Sequence, residues 1–274
     1  MTGRLVLVAT PLGNMGDLSA RAHEVLAGAD AIACEDTRRT GRLLSLAGIA
    51  APRLLAVHDH NEASMVPVVV ARLERGETVA LVSDAGMPAI SDPGERLVRA
   101  AVAAGIDVSV VPGPSAAVSA LVISGLPADR WVFEGFLPRK GGDRTRRLAT
   151  LANEPRTVVL YEAPHRLVAT LGDLSRVCGA DRQVVLVREL TKLHEEVWRG
   201  SLQAAVELDR TPRGEYVLVL AGAPPRGEVT DEEIEDALQA FDGDRRSAVA
   251  ATATDLGVPK HRVYNAALRL RGGR

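Results

Sequence analysis

Three short turns concentrate the residue types that can hold a polar, nucleotide-sized ligand. In Thr10-Pro-Leu-Gly-Asn-Met-Gly-Asp-Leu-Ser19, Gly13 and Gly16 allow backbone to approach a ligand closely, and the Ser19 hydroxyl can cap the next helix. The segment lacks the Lys-Ser/Thr of a phosphate loop and the glycine spacing of a dinucleotide fingerprint. A merely tight turn has the same composition, so this motif alone does not choose between the two readings. The second turn, Ser83-Asp-Ala-Gly-Met-Pro-Ala-Ile-Ser-Asp-Pro-Gly94, carries two aspartates, and Asp84 is suited to hydroxyl or amine donors or to supporting a cation. The third, Val111-Pro-Gly-Pro-Ser-Ala116, sets small residues and a helix amino terminus beside them. Together they point to a polar, adenosine-sized ligand.

The elements that position these turns follow a βαβ pattern. Apolar β-type runs are expected at 5–9, 31–34, 54–57, 79–82 and 108–111, separated by amphipathic helices at 20–27, 38–47, 62–75 and 95–104. A largely parallel sheet with helices on both faces follows, and such sheets bind ligands at the carboxyl ends of their strands, where the turns lie. After a helix at 115–124, strands at 131–136, 158–161, 184–188, 196–200 and 216–221 indicate a second α/β domain, with 184–188 and 196–200 near enough to pair as a hairpin. A linker, Ala223-Pro-Pro-Arg-Gly-Glu228, precedes a helical segment with Thr230 as N-cap, whose end has the helix, Gly turn, helix layout of a helix-turn-helix unit. The expected domains are 1–113, 114–223 and 224–274.

Composition restricts the setting. Hydrophobic residues make up 46% and charged residues 25% of 274, as in a globular chain large enough for two domains. Cys34 and Cys178 form neither a disulfide framework nor a zinc spacing. No cleavable leader and no membrane-length apolar run are evident, so a soluble, cytoplasmic protein is expected. The net charge of −2 conceals two basic segments: Arg139, Lys140, Arg144, Arg146 and Arg147, opposed only by Asp143, and Lys260, Arg262, Arg269, Arg271 and Arg274. Both are candidates for phosphate contact, and the glycines in the first would let it adapt to an irregular RNA surface. A solvated surface segment is the alternative for each. With 3% aromatic residues, extensive base stacking is not expected.

The three turns, together with Cys34-Glu-Asp-Thr-Arg-Arg-Thr40, His58-Asp-His-Asn-Glu62, Glu134-Gly-Phe-Leu-Pro-Arg-Lys-Gly141 and Tyr161-Glu-Ala-Pro-His-Arg166, closely resemble the bacterial ribosomal RNA small-subunit methyltransferase I family over nearly the whole chain. That family belongs to the tetrapyrrole methylase superfamily. The resemblance implies two α/β domains of that type with a small helical appendage. It also implies S-adenosylmethionine as cofactor in the cleft between the domains, a homodimer, and 2′-O-methylation of a decoding-region cytidine ribose. Carried over by position, it places Pro11, Asp84, Gly86, Met87, Ser115 and Ala116 around the cofactor, with further contacts from Tyr161, Glu162, Glu189 and Tyr216.

A ribose hydroxyl is a poor nucleophile, so it must be aligned with the methyl donor and lose its proton to some group or water. Glu35, Asp36, His58 and Glu62 are candidates because they follow the second and third strands. Each also has a structural reading: Glu35 and Asp36 can pair with Arg38 or Arg39, and the 58–62 cluster can cap the following helix. His58 and His60 have metal-compatible spacing but no evident third ligand, and sulfonium methyl transfer needs no Lewis acid, so no metal is invoked. His165 is open between contacting RNA or adenosine and bonding at a helix start. The rival functions are a tetrapyrrole or precorrin methylase, a protein methylase of the diphthine-synthesis type, and a non-catalytic RNA-binding module. The basic segments and the Glu-Asp-Thr-Arg and His-Asp-His-Asn-Glu runs favour the RNA enzyme. Whether its substrate is free small-subunit RNA or the assembled subunit is left open.

Overall fold

The computed structural model describes residues 3–209, 211–225, 229–241 and 243–272, with backbone only at 245, 246, 271 and 272. Residues 226–228 of the expected linker, Arg274 and the Arg271 side chain therefore fall outside the described residues. The chain forms two compact units, dividing between Ala223 and Pro224.

In the first unit, β1 (Arg4–Val8), β2 (Ala31–Cys34), β3 (Arg53–Ala56), β4 (Thr78–Val82) and β5 (Asp107–Val111) form one parallel sheet in the order β3-β2-β4-β1-β5. Alternation along the strands divides their side chains between two cores, because successive residues point to opposite faces. Leu5, Ala33, Val79 and Leu81 pack with Leu73 of α3 (Glu62–Glu74) and Leu97 of α4 (Glu95–Ala103). Val6, Val8, Ile32 and Val82 pack with Leu26 of α1 (Ala20–Gly28) and Leu44 of α2 (Thr37–Leu46). Burial on both faces explains why these strands read as continuous apolar runs.

The second sheet is mixed. It contains β6 (Trp131–Phe136), β7 (Thr157–Glu162), β8 (Gln183–Arg188), β9 (Glu196–Ser201) and β10 (Tyr216–Leu220) in the order β6-β7-β10-β8-β9. Only β6 and β7 run parallel; β10 is antiparallel to both neighbours, and β8 and β9 form the expected hairpin, with Val184 opposite Gly200. Leu160, Leu186 and Leu218 face α6 (Gly141–Ala152), α7 (Pro164–Cys178) and α8 (Leu202–Val206), whereas Val159, Val185 and Val219 face α5 (Ala116–Ser124).

The second unit holds α9 (Asp231–Ala240), α10 (Arg245–Leu256) and α11 (Lys260–Gly272) around Ile234, Ala253, Val263 and Ala266. Thr230 caps α9 as expected, in a reciprocal box with Glu233. Gly257, at φ 65°, makes the turn between α10 and α11 in the left-handed conformation favoured by glycine. Among the described residues, no helix is long and apolar enough to cross a membrane.

Candidate active site

β4, β1 and β5 are neighbours, so the three turns that follow them meet. Thr10 and Gly86 exchange backbone hydrogen bonds of 2.9 and 3.0 Å, tying the first turn to the second. Gly86 has φ +82°, and a Cβ there would stand 3.0 Å from Leu12 Cδ2, so the close approach depends on glycine. In the same turn Ala89 and Ser91 hold φ values of 64° and 60°. Left-handed backbone at non-glycine residues costs about 1–3 kcal/mol each and clusters at ligand sites.

With the ends of β7 and β10, these turns line a cavity of about 390 Å³, within the range of about 300–1,000 Å³ usual for small-molecule sites. Asp84, Gly86 and Met87 line it from the second turn, and Ser115 and Ala116 from the third. Ser115 is the N-cap of α5 yet makes no side-chain cap bond, which leaves its hydroxyl available to a ligand. Tyr161, Glu162 and Tyr216 line it from the second sheet.

Two expected cofactor residues are placed otherwise. Pro11 is not in the wall; its neighbour Leu12 is. Glu189, at φ 49°, also lies off the cavity: its carboxylate accepts hydrogen bonds from Lys192 Nζ and Glu215 N, both at 2.9 Å. Glu189 thus fixes the backbone of Glu215, which does line the cavity. Glu162 is itself largely consumed by structure, accepting from Ala163 N and Thr170 Oγ1 and pairing with Arg166 at 3.3 Å.

The wall is acidic. Glu35, Asp84, Asp92, Glu162 and Glu215 face a single cationic side chain, Arg39, which pairs with Asp84 at 3.1 Å. Glu35 and Asp92 have no ion-pair partner among the described residues. Burial raises the Asp92 carboxyl to about 7, helped by Glu35, Asp84 and Asp59 and opposed by its hydrogen bond with Ser83. Burial, then Asp84 and Asp59, also raise Glu35, against Arg39. A ligand with a fixed positive charge and hydroxyl donors suits this set, and S-adenosylmethionine has both.

Below about 7 Asp92 carries a proton, and losing it adds a negative charge to a cavity meant for a cation. Affinity for S-adenosylmethionine should therefore rise by up to about tenfold between pH 6 and pH 8. Calorimetry at both pH values, with S-adenosylhomocysteine as the uncharged-sulfur control and Asp92→Asn as the non-titrating variant, checks it. Equal pH dependence for both ligands would contradict the assignment.

A second, more open cleft of about 400 Å³ shares Glu35, Arg39 and Asp84 with the first and adds Asp36, Arg38 and His58. Three of the four expected proton acceptors, Glu35, Asp36 and His58, therefore meet beside the cavity. Hydrogen bonding from Arg38, side chain and backbone, holds the Asp36 carboxyl well below the usual range and occupies its oxygens. His58 Nδ1 is buried without a hydrogen-bond partner.

Glu62 is the exception. Only 6% exposed, its Oε1 accepts from Gly94 N and Arg96 N, both at 3.0 Å, and so caps α4. Glu62→Ala strands two inward-facing N–H groups and should cost about 2–4 kcal/mol of stability, measured as a lowered urea midpoint. Glu62→Gln should keep turnover near wild type, which a proton acceptor would not allow.

The first basic segment also differs from expectation. Gly141, at φ +83°, begins α6, so Arg144, Arg146 and Arg147 lie on a helix and not on an adaptable loop. The paired glycines disguised that start. Arg144 is mostly buried, binding Asp173 at 2.9 Å, Pro138 O and Thr170 Oγ1; it is a structural bracket between α6 and α7. Arg146 pairs with Asp143, and Arg147 with Glu134. Arg139 and Lys140 are exposed, with no ion-pair partner among the described residues. In the tail, Arg262 and Arg269 turn to Asp231 of α9 at 3.2 and 2.6 Å and so brace the helical unit.

The sequence reading missed Arg39, Asp92 and Phe136 in the cavity wall. Asp92 carried a signal, as the second aspartate of its turn; Arg39 and Phe136 lay inside quoted motifs without a reason to single them out.

Residues 4–206 match the family of Tetrapyrrole (Corrin/Porphyrin) Methylases. In fold, the chain is similar to uroporphyrin-III C-methyltransferase of Thermus thermophilus complexed with S-adenyl homocysteine (TM-score 0.56, 19% identity, 80% of this chain and 97% of that one). It also resembles a cobalt precorrin-4 methyltransferase (TM-score 0.58, 17% identity, 80% and 94%). In sequence it is 46% identical to ribosomal RNA small subunit methyltransferase I of Synechocystis (98% of each chain). It is 45% identical to the protein of that name from Escherichia coli O157:H7 (98% and 96%). The chain belongs to the tetrapyrrole methylases and, within them, to the ribosomal RNA small subunit methyltransferase I family.

Proposed function

We propose that this methyltransferase carries a methyl group from S-adenosylmethionine to the ribose 2′-hydroxyl of a decoding-region cytidine in small-subunit ribosomal RNA, acting in the cytoplasm as a homodimer. The observation that carries the reading is the junction of the two clefts: an acidic cavity of cofactor size adjoins a more open cleft, and Glu35, Arg39 and Asp84 belong to both.

Asp84, Met87, Ser115 and Tyr216 would hold the cofactor, which supplies an electrophilic methyl on a sulfonium when bound. Glu35 stands at the junction, half-buried and unpaired, and accepts the proton of the ribose hydroxyl. Its raised affinity for protons, caused first by burial, suits that task near neutral pH. Arg39 pairs with Asp84 at 3.1 Å, and His58 borders the acceptor side. Positioning the hydroxyl supplies much of the remaining acceleration.

Arg139 and Lys140 meet RNA phosphates. Replacing both by Ala should weaken small-subunit RNA binding, lower the slope of log affinity against log salt by about 1.4–1.8, and leave cofactor affinity unchanged. Filter binding across a salt series reads this. The function itself is tested with labelled S-adenosylmethionine offered to small subunits from a strain lacking the activity and to uroporphyrinogen: label in the RNA supports it, and label only in the tetrapyrrole refutes it.

A further inference from the structure

Phe136 is directed to the cavity by an irregularity in β6. Opposite β7 the register runs Phe133 to Val159 and then Gly135 to Leu160, so Glu134 is an extra residue and Gly135, at φ +61°, completes a bulge. In a regular strand, residues 133 and 136 point to opposite faces. Here both rings meet Tyr161 edge to face, with centroids at 5.0 and 5.6 Å. A Cβ on Gly135 would come 3.1 Å from Ser91 Oγ in the second turn, so the bulge is also fitted to the cavity wall. Just beyond, Leu137 is buried in the core and its carbonyl accepts from Arg166 at 2.6 Å, which anchors the strand end.

The result is an aromatic side chain held at the cavity wall with 51% of its surface open to solvent, in a chain with only eight aromatic residues. Tyr216, at 3% exposure, lines the enclosed part. Half exposed at the cavity wall, the Phe136 ring is within reach of a partner that arrives from solvent. Three residues on, Arg139 and Lys140 offer two exposed cations, and an aromatic platform followed by basic residues is the arrangement that receives an unstacked nucleobase and its phosphates. We propose that Phe136 is the platform on which the base of the acceptor nucleotide stacks, drawn out of the RNA while its ribose lies at the cleft junction. This rests on the RNA reading above and adds a positioning residue to it.

Phe136→Ala, Phe136→Leu and Phe136→Trp are compared with wild type in three measurements: S-adenosylmethionine affinity by calorimetry, kcat/KM on small subunits, and photocrosslinking to a small-subunit RNA fragment carrying 5-iodocytidine. Phe136→Ala should lower kcat/KM by about 5- to 150-fold, the loss expected when a stacking ring is truncated, with cofactor affinity within twofold. Phe136→Leu should remain impaired, Phe136→Trp should recover, and the wild-type crosslink should map to Phe136. An equal loss of cofactor affinity in Phe136→Ala would assign the ring to the cofactor and overturn the proposal, as would full activity of Phe136→Ala or a crosslink elsewhere. Wild type that crosslinks at Phe136 yet methylates no RNA would leave the platform standing and defeat the functional reading.

Discussion

Asp84→Ala is expected to lose about 10- to 150-fold in affinity for S-adenosylmethionine while remaining folded. Asp84 lines both clefts, pairs with Arg39 and accepts the Asp36 N–H at 3.2 Å. Its removal takes a largely buried carboxylate from the cavity wall and leaves the exposed Arg39 guanidinium unopposed beside it. A lost hydrogen bond between a ligand and a charged group costs about 1.5–3 kcal/mol, and the unopposed guanidinium also repels a cationic ligand. Asp84→Asn keeps the contact to Asp36 but not the charge, and should fall between the variants. Calorimetry with thermal unfolding separates binding from folding; near-wild-type affinity of the alanine variant would remove Asp84 from the cofactor site.

Glu35→Gln should lower kcat at saturating cofactor by about 10²- to 10⁴-fold, the range for loss of a positioned proton acceptor, while the loss of one negative charge from the cavity wall weakens cofactor binding by no more than about tenfold. The amide preserves shape and cannot take the proton. In the wild type the acceptor must be ionised, so kcat should fall as pH drops through the raised titration of Glu35, on a limb above the usual carboxylate range. In Glu35→Gln that limb should vanish. Asp36→Asn should do less to the rate, because Arg38 already occupies that carboxylate. Retention of rate within about threefold by Glu35→Gln would move proton acceptance elsewhere, with His58 as the next candidate.

The parallel sheet was legible because strands buried on both faces repeat short apolar runs ended by Gly, Pro or Asp: the expected 31–34 coincides with β2, and 5–9 and 54–57 differ from β1 and β3 by one residue at each end. The turns that carry Asp84, Gly86, Met87, Ser115 and Ala116 were legible for a related reason, since they follow strands of that sheet, whereas the individual residues other than Asp84 came from the family resemblance. Side-chain partnership was not. Glu62 and Glu35 are both glutamates after a strand, but only the fold shows that one caps α4 and the other stands unpaired at a cleft. Arg144 and Arg139 are alike in a charge count, yet one braces two helices and the other faces solvent. Phe136 required the β6 bulge, a pairing irregularity that depends on β7.

Methyl transfer to a ribose hydroxyl of small-subunit RNA is read out by locating the methyl group. Small subunits from a strain lacking the activity are incubated with the protein and methyl-labelled S-adenosylmethionine, and the RNA is digested to nucleosides. Label is expected on a single cytidine, recovered as an alkali-resistant dinucleotide because its 2′-oxygen is blocked. Label on a base carbon or nitrogen, or on no RNA nucleotide, would contradict that transfer.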